Sequence, residues 1–465
     1  MTVPAYDVLV IGGGTGGLVA ATRAAGHGLK TALVERERLG GECLWTGCVP
    51  TKAMLQSAEL HHQITRAEEF GLTPCRQPLE WSRVVLAKDR IVARIAEHDS
   101  PEAMARAGVE TYKGNARFLT PHEVEVDGQV LQGRNIVIAT GSRQSDPSHI
   151  GGLREAGYIT HVEAVDLPHL PPTIAIIGGG PVGVEFAQLF ARLGAEVTLL
   201  ERTGLILAKE DPEISRYVER SLTAEGIAIK HHCAEKTISA RGGKKVLSAE
   251  LDGVPAEMEV DEVFLATGRA PNLEGLGLER IGVKTGPRGI EVDEQMRTSL
   301  PHVYACGDVA GKYLFTHVAE YQGTIVAHNI AFPDRPRRAD YRVVPWATFT
   351  DPEVGHVGLS EPEAREAGHD VAVERYSFAS SDRAITMRKA EGLVKVLADA
   401  HSGQILGAHI VGPGAGNLIH EFALAMRLQA PLSAIAETIH AYPTLSEAVK
   451  WAAMAFPRGR LKGGP

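Results

Sequence analysis

The stretch Asp7-Val8-Leu9-Val10-Ile11-Gly12-Gly13-Gly14-Thr15-Gly16-Gly17 decides the fold. Residues 7 to 11 are an apolar, largely β-branched run, the pattern of a buried strand. They lead straight into G-x-G-x-x-G at Gly12, Gly14 and Gly17. Missing side chains there permit a tight turn and let backbone N–H groups approach a pyrophosphate. Leu18 to Ala25 supplies a helix whose positive end faces the phosphates. A second strand, Thr31 to Val34, then ends on Glu35, placed to accept from an adenosine ribose.

Working outward, the same order of parts returns at Ile174 to Ile177. Gly178, Gly180 and Gly183 follow, then a helix from Val184 to Leu193 and a strand from Glu196 to Leu200 that ends on Glu201. In each copy the acid stands 23 residues after the first glycine, 35 against 12 and 201 against 178. A lone glycine motif is weak, and a flexible loop competes with it. Two complete modules imply two dinucleotides, the alternative being one dinucleotide and a relic.

At 465 residues the chain is longer than one core usually supports, and about 150 residues per domain gives three domains. Apolar residues make up 44% and charged residues 23%, the balance of a soluble globular protein. The start, MTVPAYDVLVIGGG, lacks the basic-then-apolar pattern of a secretory signal, and no apolar run reaches the ~18 residues of a spanning helix. The expectation is a cytoplasmic protein with no membrane partner. A net charge of −9 without basic blocks argues against nucleic acid and for small-molecule partners.

The rest of the chain reads more coarsely. Val124 to Val126 and Val130 to Leu131 flank the turn signal Asp127-Gly128, and a further strand is expected over Asn135 to Ala139, before Thr140-Gly141-Ser142. Pro168, Pro171 and Pro172 mark a boundary before the second module. Val263 to Ala266 with Thr267-Gly268-Arg269 echoes the earlier strand and turn. Arg335 to Asp340 reads as a linker into a last region, with strands near Val394 to Ala398 and helices near Asn417 to Gln429 and Pro431 to Thr438.

The five cysteines are Cys43, Cys48, Cys75, Cys233 and Cys306, too scattered for a secreted disulfide framework or a four-ligand zinc site, and no metal site is expected. One pair is close, within Gly40-Gly41-Glu42-Cys43-Leu44-Trp45-Thr46-Gly47-Cys48-Val49-Pro50-Thr51-Lys52. On an ideal helix a five-residue offset means about 7.5 Å of rise, too far for a relaxed disulfide, so the turn must be distorted. Gly47 is expected to lend the freedom. A helix starting around Cys48 would favour a thiolate at its positive end. The competing reading is two unlinked thiols, and Cys75, Cys233 and Cys306 read as packing residues.

This segment resembles the active-site signature of the pyridine nucleotide-disulfide oxidoreductases, which include dihydrolipoamide dehydrogenase, glutathione reductase and mercuric reductase. The resemblance takes in both glycine modules, Ala139-Thr140-Gly141-Ser142, Thr267-Gly268-Arg269-Ala270-Pro271-Asn272 and Ala305-Cys306-Gly307-Asp308. It implies an α/β fold with two Rossmann-like dinucleotide-binding domains and a C-terminal α+β dimerisation domain. FAD would occupy residues 1–150 and 265–340, NAD(H) or NADP(H) an insertion at 151–264, and 341–465 would form the interface of a homodimer. Gly307-Asp308 would hold the flavin's ribityl and phosphate portion. Cys48 would lie against the flavin and Cys43 would meet the substrate. Lys52 would place a positive charge near flavin N5, with Glu185 as its ion-pair partner. For these two the plainer reading is a surface lysine and an N-terminal-turn carboxylate.

Glu201 accepts from a ribose 2′-OH and repels a 2′-phosphate, which favours NADH; Arg202 beside it leaves NADPH open. Near the end stands Ile439-His440-Ala441-Tyr442-Pro443-Thr444-Leu445-Ser446-Glu447. Dihydrolipoamide dehydrogenases carry a histidine before the proline, paired with the glutamate, as proton shuttle. Here Tyr442 stands there, and a phenol of reference pKa ~10 is a poor base at neutral pH. His440 is either its substitute or a packed histidine. Mercuric reductases have a tyrosine at a similar position, and Phe315-Thr316-His317-Val318-Ala319 and Trp346 to Glu353 also resemble that branch. Its C-terminal cysteine pair has no counterpart, since no cysteine follows Cys306. By the resemblance, the tail of one subunit would set Tyr442 and Glu447 before Cys43 of the other. Three roles stay open: reduction of a small disulfide such as lipoamide, reduction of a metal ion or quinone, and a low-turnover redox-sensing or docking subunit.

Overall fold

A computed structural model describes residues 3–74, 79–251 and 253–456. It forms two compact units, Met1–Ala53, Arg83–Asp146 and Gly268–Asp340 in the first, and Met54–Ser82, Pro147–Thr267 and Tyr341–Pro465 in the second.

The first unit is built on a seven-stranded sheet. Across it run Val109–Lys113, Thr31–Glu35, Ala5–Ile11, Gln129–Ile138, Glu123–Val126 and Ala116–Thr120, with Val303–Ala305 beside Gln129–Ile138. The first four strands and Val303–Ala305 pair in parallel, and the last two close an antiparallel meander. Val8, Leu9, Val10, Ile136, Val137 and Ile138 are fully buried, as strands covered on both faces require. The expected hairpin turns at Asp127 and Gly128, both with positive φ, 45° and 92°. The strand expected over Asn135 to Ala139 is not separate. One strand, Gln129–Ile138, pairs with the hairpin at its start and with the first strand along most of its length. Helix Thr15–Gly26 packs against helix Thr316–Ala331. A Cβ at Gly323 would meet Gly16 O at 2.5 Å, so the two helices cross backbone to backbone.

The second unit holds three sheets. The four parallel strands Ala228–Lys230, Glu196–Leu200, Thr173–Ile177 and Glu262–Leu265 repeat the first module. Cys233–Arg241, Lys244–Leu251 and Val254–Val260 form an antiparallel sheet, and Ile238 and Leu247 from it join the core under the parallel strands. The last region is a five-stranded antiparallel sheet in the order Trp346–Thr348, Glu353–Gly358, Ile405–Gly412, Leu393–Asp399 and Val371–Ser377. Helices Ala415–Arg427, Leu432–Glu437 and Glu447–Met454 bury Phe422, Leu432 and Val449 in a core with its strands.

Candidate active site

Each glycine loop is held from behind and open in front. In the first unit Gly12 has φ 105°, and a Cβ there would stand 2.4 Å from Ala139 O. At Gly17 it would stand 1.9 Å from Gly12 O, whereas at Gly14 its nearest neighbour would be 3.9 Å away. No side chain caps helix Thr15–Gly26 at Gly14, so its first-turn amides are left for an anion. Glu35 accepts from Gly13 N at 2.6 Å and from Glu37 N at 2.7 Å. In the second unit Gly178 has φ 112°, and a Cβ at Gly183 would stand 1.9 Å from Gly178 O; at Gly180 it would meet nothing within 4 Å. Glu201 accepts from Gly179 N at 2.8 Å and from Thr203 N at 2.7 Å. Both cradles therefore fit the pyrophosphate of a dinucleotide.

The residues matched to the flavin's other contacts gather in the first unit. Thr140 Oγ1 donates to Asn272 O and Asn272 Nδ2 to Thr140 O, which joins the turn at Gly141 to the turn after Gly268. Gly141, Gly268 and Gly307 all have positive φ, 70°, 123° and 78°. Gly307 N donates to Gln322 at 2.7 Å, and Asp308 accepts from Ser142 Oγ at 2.5 Å. Burial pushes the Asp308 carboxyl up from its ordinary range.

The cysteine segment breaks as expected. Helix Gly41–Trp45 carries Cys43, residues 46 and 47 turn, and helix Cys48–Thr65 begins on Cys48. Gly47 does not use the left-handed freedom expected of it. Its need is room: a Cβ would lie 3.1 Å from Glu42 O, whose carbonyl takes Gly47 N at 2.6 Å. The left-handed positions are instead Gly40 and Gly41, φ 97° and 59°. Cys43 and Cys48 stand as thiols, Cys43 half-buried and Cys48 exposed. Thr316 Oγ1 lies 3.4 Å from Cys43 Sγ and 3.3 Å from Cys48 Sγ. The hydrogen bond to Cys48, then burial, pushes the Cys43 thiol up, and Thr316 opposes this.

Two residues of this cluster lie in quoted motifs but were given no role from the sequence. Thr316 lies far along the chain and reaches the sulfurs only through the crossing of its helix with Thr15–Gly26. Glu42 takes the fork of Arg269, Nη1 to Oε1 at 2.7 Å and Nη2 to Oε2 at 2.5 Å, while Arg269 Nε donates to Ser142 Oγ at 2.7 Å. Arg269, expected among the cofactor contacts, thus clamps the first turn of the helix that carries Cys43, and it acts electrostatically on Cys48. Opposite charge changes follow from removing either partner. Arg269→Gln leaves a carboxylate beside the dithiol and slows alkylation of the reduced protein by iodoacetamide at pH 7 about tenfold; Glu42→Gln speeds it by a similar factor. Two shifts of the same sign would mean the pair only holds the helix.

Lys52 is half-buried on helix Cys48–Thr65 in the first unit. Glu185, in the second, is buried in helix Pro181–Arg192 and accepts from Phe349 N at 2.9 Å. The C-terminal segment does not pair His440 with Glu447. His440 Nε2 bonds to Glu421 at 2.9 Å and its Nδ1 to Thr438 O at 2.9 Å, so both nitrogens are taken. Glu447 accepts weakly from Thr444 N, at 3.4 Å. Tyr442, 71% exposed, donates to Asp382 at 2.9 Å, and that carboxylate pushes its phenol up. Cys233 and Cys306 are core residues whose thiols burial pushes up, Cys306 to about 12. Cys75 lies outside the described residues. Among the described residues, no helix is long and apolar enough to cross a membrane.

With this geometry in hand, comparison with known proteins assigns the family. Residues 6–323 match the pyridine nucleotide-disulphide oxidoreductase family and residues 344–453 its dimerisation domain. The dihydrolipoyl dehydrogenase of Thermus scotoductus is 40% identical, covering 97% of this chain and 97% of that one. The mercuric reductase of Staphylococcus aureus is 34% identical, covering 97% and 83%. Among solved structures, the HOCl-induced flavoprotein disulfide reductase RclA of Escherichia coli is similar with a TM-score of 0.87 at 27% identity, covering 97% and 99%. A Cu(II) complex of that protein matches with a TM-score of 0.88 at 26% identity, covering 98% and 100%. The chain therefore belongs to the pyridine nucleotide-disulphide oxidoreductases, enzymes that use FAD and NAD(P)H.

Proposed function

We propose that this chain takes electrons from NADH and passes them through FAD to the Cys43–Cys48 pair, from which Cys43 hands them to a small acceptor. The reading rests on the two sulfurs bracketing one threonine hydroxyl. In each cycle NADH gives two electrons and a proton, water gives a second proton, and the disulfide becomes the dithiol; on reoxidation the electrons pass to the acceptor and the two protons to the acceptor or to water. When bound, FAD supplies the exchange between hydride and thiol electrons. Lys52 enters this proposal as the positive charge near the flavin on the resemblance alone. Glu201 is tied to the second loop as Glu35 is to the first, a ribose-accepting geometry that favours NADH over NADPH. The exposed apolar side chains Ile439, Tyr442, Trp451 and Met454 lie in or beside the segment matched to the dimerisation domain, and we assign them to a homodimer interface.

Among acceptors the tail favours a metal ion over lipoamide. A dithiol exchanging with a disulfide needs a base to move its proton, and here Tyr442 and His440 are both committed elsewhere. A mercuric ion, or two cupric ions, can take the two electrons while the two thiol protons pass to water, with no proton to deliver to a leaving thiol. NADH oxidation is to be followed with lipoamide, Hg(II) and Cu(II) in turn. Metal-supported turnover should exceed lipoamide turnover by about tenfold or more. Faster turnover with lipoamide would make the chain a disulfide reductase whose base lies elsewhere.

The glycine loops separate the two nucleotides. Gly17→Ala drives a Cβ into Gly12 O and should yield protein with less than about a tenth of its flavin absorbance. Gly183→Ala makes the same clash in the second loop, and there the flavin should stay while KM for NADH rises about tenfold.

A further inference from the structure

We propose that Glu210, His356 and His409, in the second unit, form a buried site for a divalent transition ion, zinc(II) foremost. The sequence offered no metal spacing, because strand pairing makes this cluster. His356 on Glu353–Gly358 stands directly opposite His409 on Ile405–Gly412. Glu210 reaches them from the turn before helix Pro212–Ala224. All three side chains are buried, and one ligand atom from each lies within 4.8 Å of the others.

The outer hydrogen bonds decide which atoms face the centre. His356 Nε2 is 3.0 Å from Gly358 O, and His409 Nε2 is 2.9 Å from Leu359 O. A carbonyl only accepts, so each ring carries a hydrogen on Nε2 and turns Nδ1 towards the centre as the candidate ligand atom. Glu210 Oε1 accepts from Trp346 Nε1 at 2.6 Å, which leaves Oε2. Without a cation, His356 needs a second ring hydrogen to donate from Nδ1 to Glu210 Oε2 at 2.8 Å. His409 Nδ1 is buried with no hydrogen-bond partner.

A proton on His356 would repair the first contact and leave the second orphaned. One cation repairs both. Two imidazole nitrogens and a carboxylate oxygen suit zinc(II), copper(II) or nickel(II) better than magnesium or calcium, and each ligand already has the outer partner that fixes its orientation. Trp346 lies flat on the His356 ring with centroids 3.6 Å apart and walls off that side. The neighbouring ammonium of Lys395 is matched by Asp211, Glu213 and Glu361, so its charge does not oppose a cation here. The same turn donates Leu207 N to Gly179 O at 2.7 Å, which would tie the ion to the second glycine loop.

The test uses flavin-loaded protein carrying Cys43→Ser and Cys48→Ser, so that thiolates bind no metal. After chelator dialysis it is reloaded with Zn(II), desalted and analysed for metal by mass spectrometry, alone and with His409→Leu or Glu210→Gln added. About one equivalent should remain in the parent and less than about a tenth in either variant, with a zinc-dependent rise in thermal midpoint confined to the parent. Co(II) in place of Zn(II) should give visible d–d bands beyond the flavin absorption, without thiolate charge transfer, in the parent itself, so the site remains testable should both variants fail to fold. A parent that retains no metal and gives no cobalt band overturns the proposal, as does equal metal in folded variants.

Discussion

Cys43→Ser abolishes acceptor reduction while leaving a yellow, NADH-reducible protein. On the proposed role of Cys43 as the sulfur that meets the acceptor, its loss should lower steady-state turnover by at least about a thousandfold, because Cys48 alone cannot close the disulfide of the cycle. Flavin binding should survive, since both glycine cradles and the Gly307-Asp308 turn stand on other residues. The readout is twofold: rate with acceptor, and the visible spectrum after anaerobic addition of NADH. Wild type should develop a long-wavelength band after two electrons, with the thiolate beside the flavin. The variant, with Cys48 and no partner to bond, should bleach at about 450 nm on the next NADH. Undiminished turnover in the variant would remove the dithiol from the route.

The second large effect concerns stability. Lys395 is 3% exposed and its ammonium meets Asp211 at 2.9 Å, Glu361 at 2.8 Å and Glu213 at 3.2 Å. Lys395→Met strands the buried Asp211 carboxylate, whose other duty is to cap helix Pro212–Ala224 through Glu213 N. Breaking a buried pair from one side costs about 3–5 kcal/mol, which in a unit of this size lowers the thermal midpoint by about 10 °C. Adding Asp211→Asn removes the stranded charge, keeps an acceptor for the cap and should recover at least half of the loss. A midpoint within about 2 °C of wild type for Lys395→Met alone would mean that water reaches the carboxylate.

What the sequence carried was local. Strands Ala5–Ile11, Thr31–Glu35, Thr173–Ile177 and Glu196–Leu200 stand within two residues of where their apolar runs place them, because glycine turns and terminal acids bound each run on both sides. The broken helix at the cysteines follows from their spacing. The partners that tune the site did not follow. Thr316 meets the sulfurs, Arg269 meets Glu42 and Asp382 meets Tyr442 through pairings that no periodicity records. What Gly47 contributes was not legible for a related reason. Sequence shows that a side chain is missing, but whether the need is a left-handed φ or simply space depends on the carbonyl that arrives beside it.

The carboxylates that bind Gly13 N and Gly179 N have a last consequence, for the thermodynamics of ligand capture. Each closes a ring from strand end to loop with the chain's own atoms. A dinucleotide arriving at such a loop has little backbone motion left to freeze, so less of its contact energy is consumed in ordering the chain. The association entropy is then set mainly by the ligand's own torsions, and a rigid nucleotide should bind with little change in backbone hydrogen exchange at either loop.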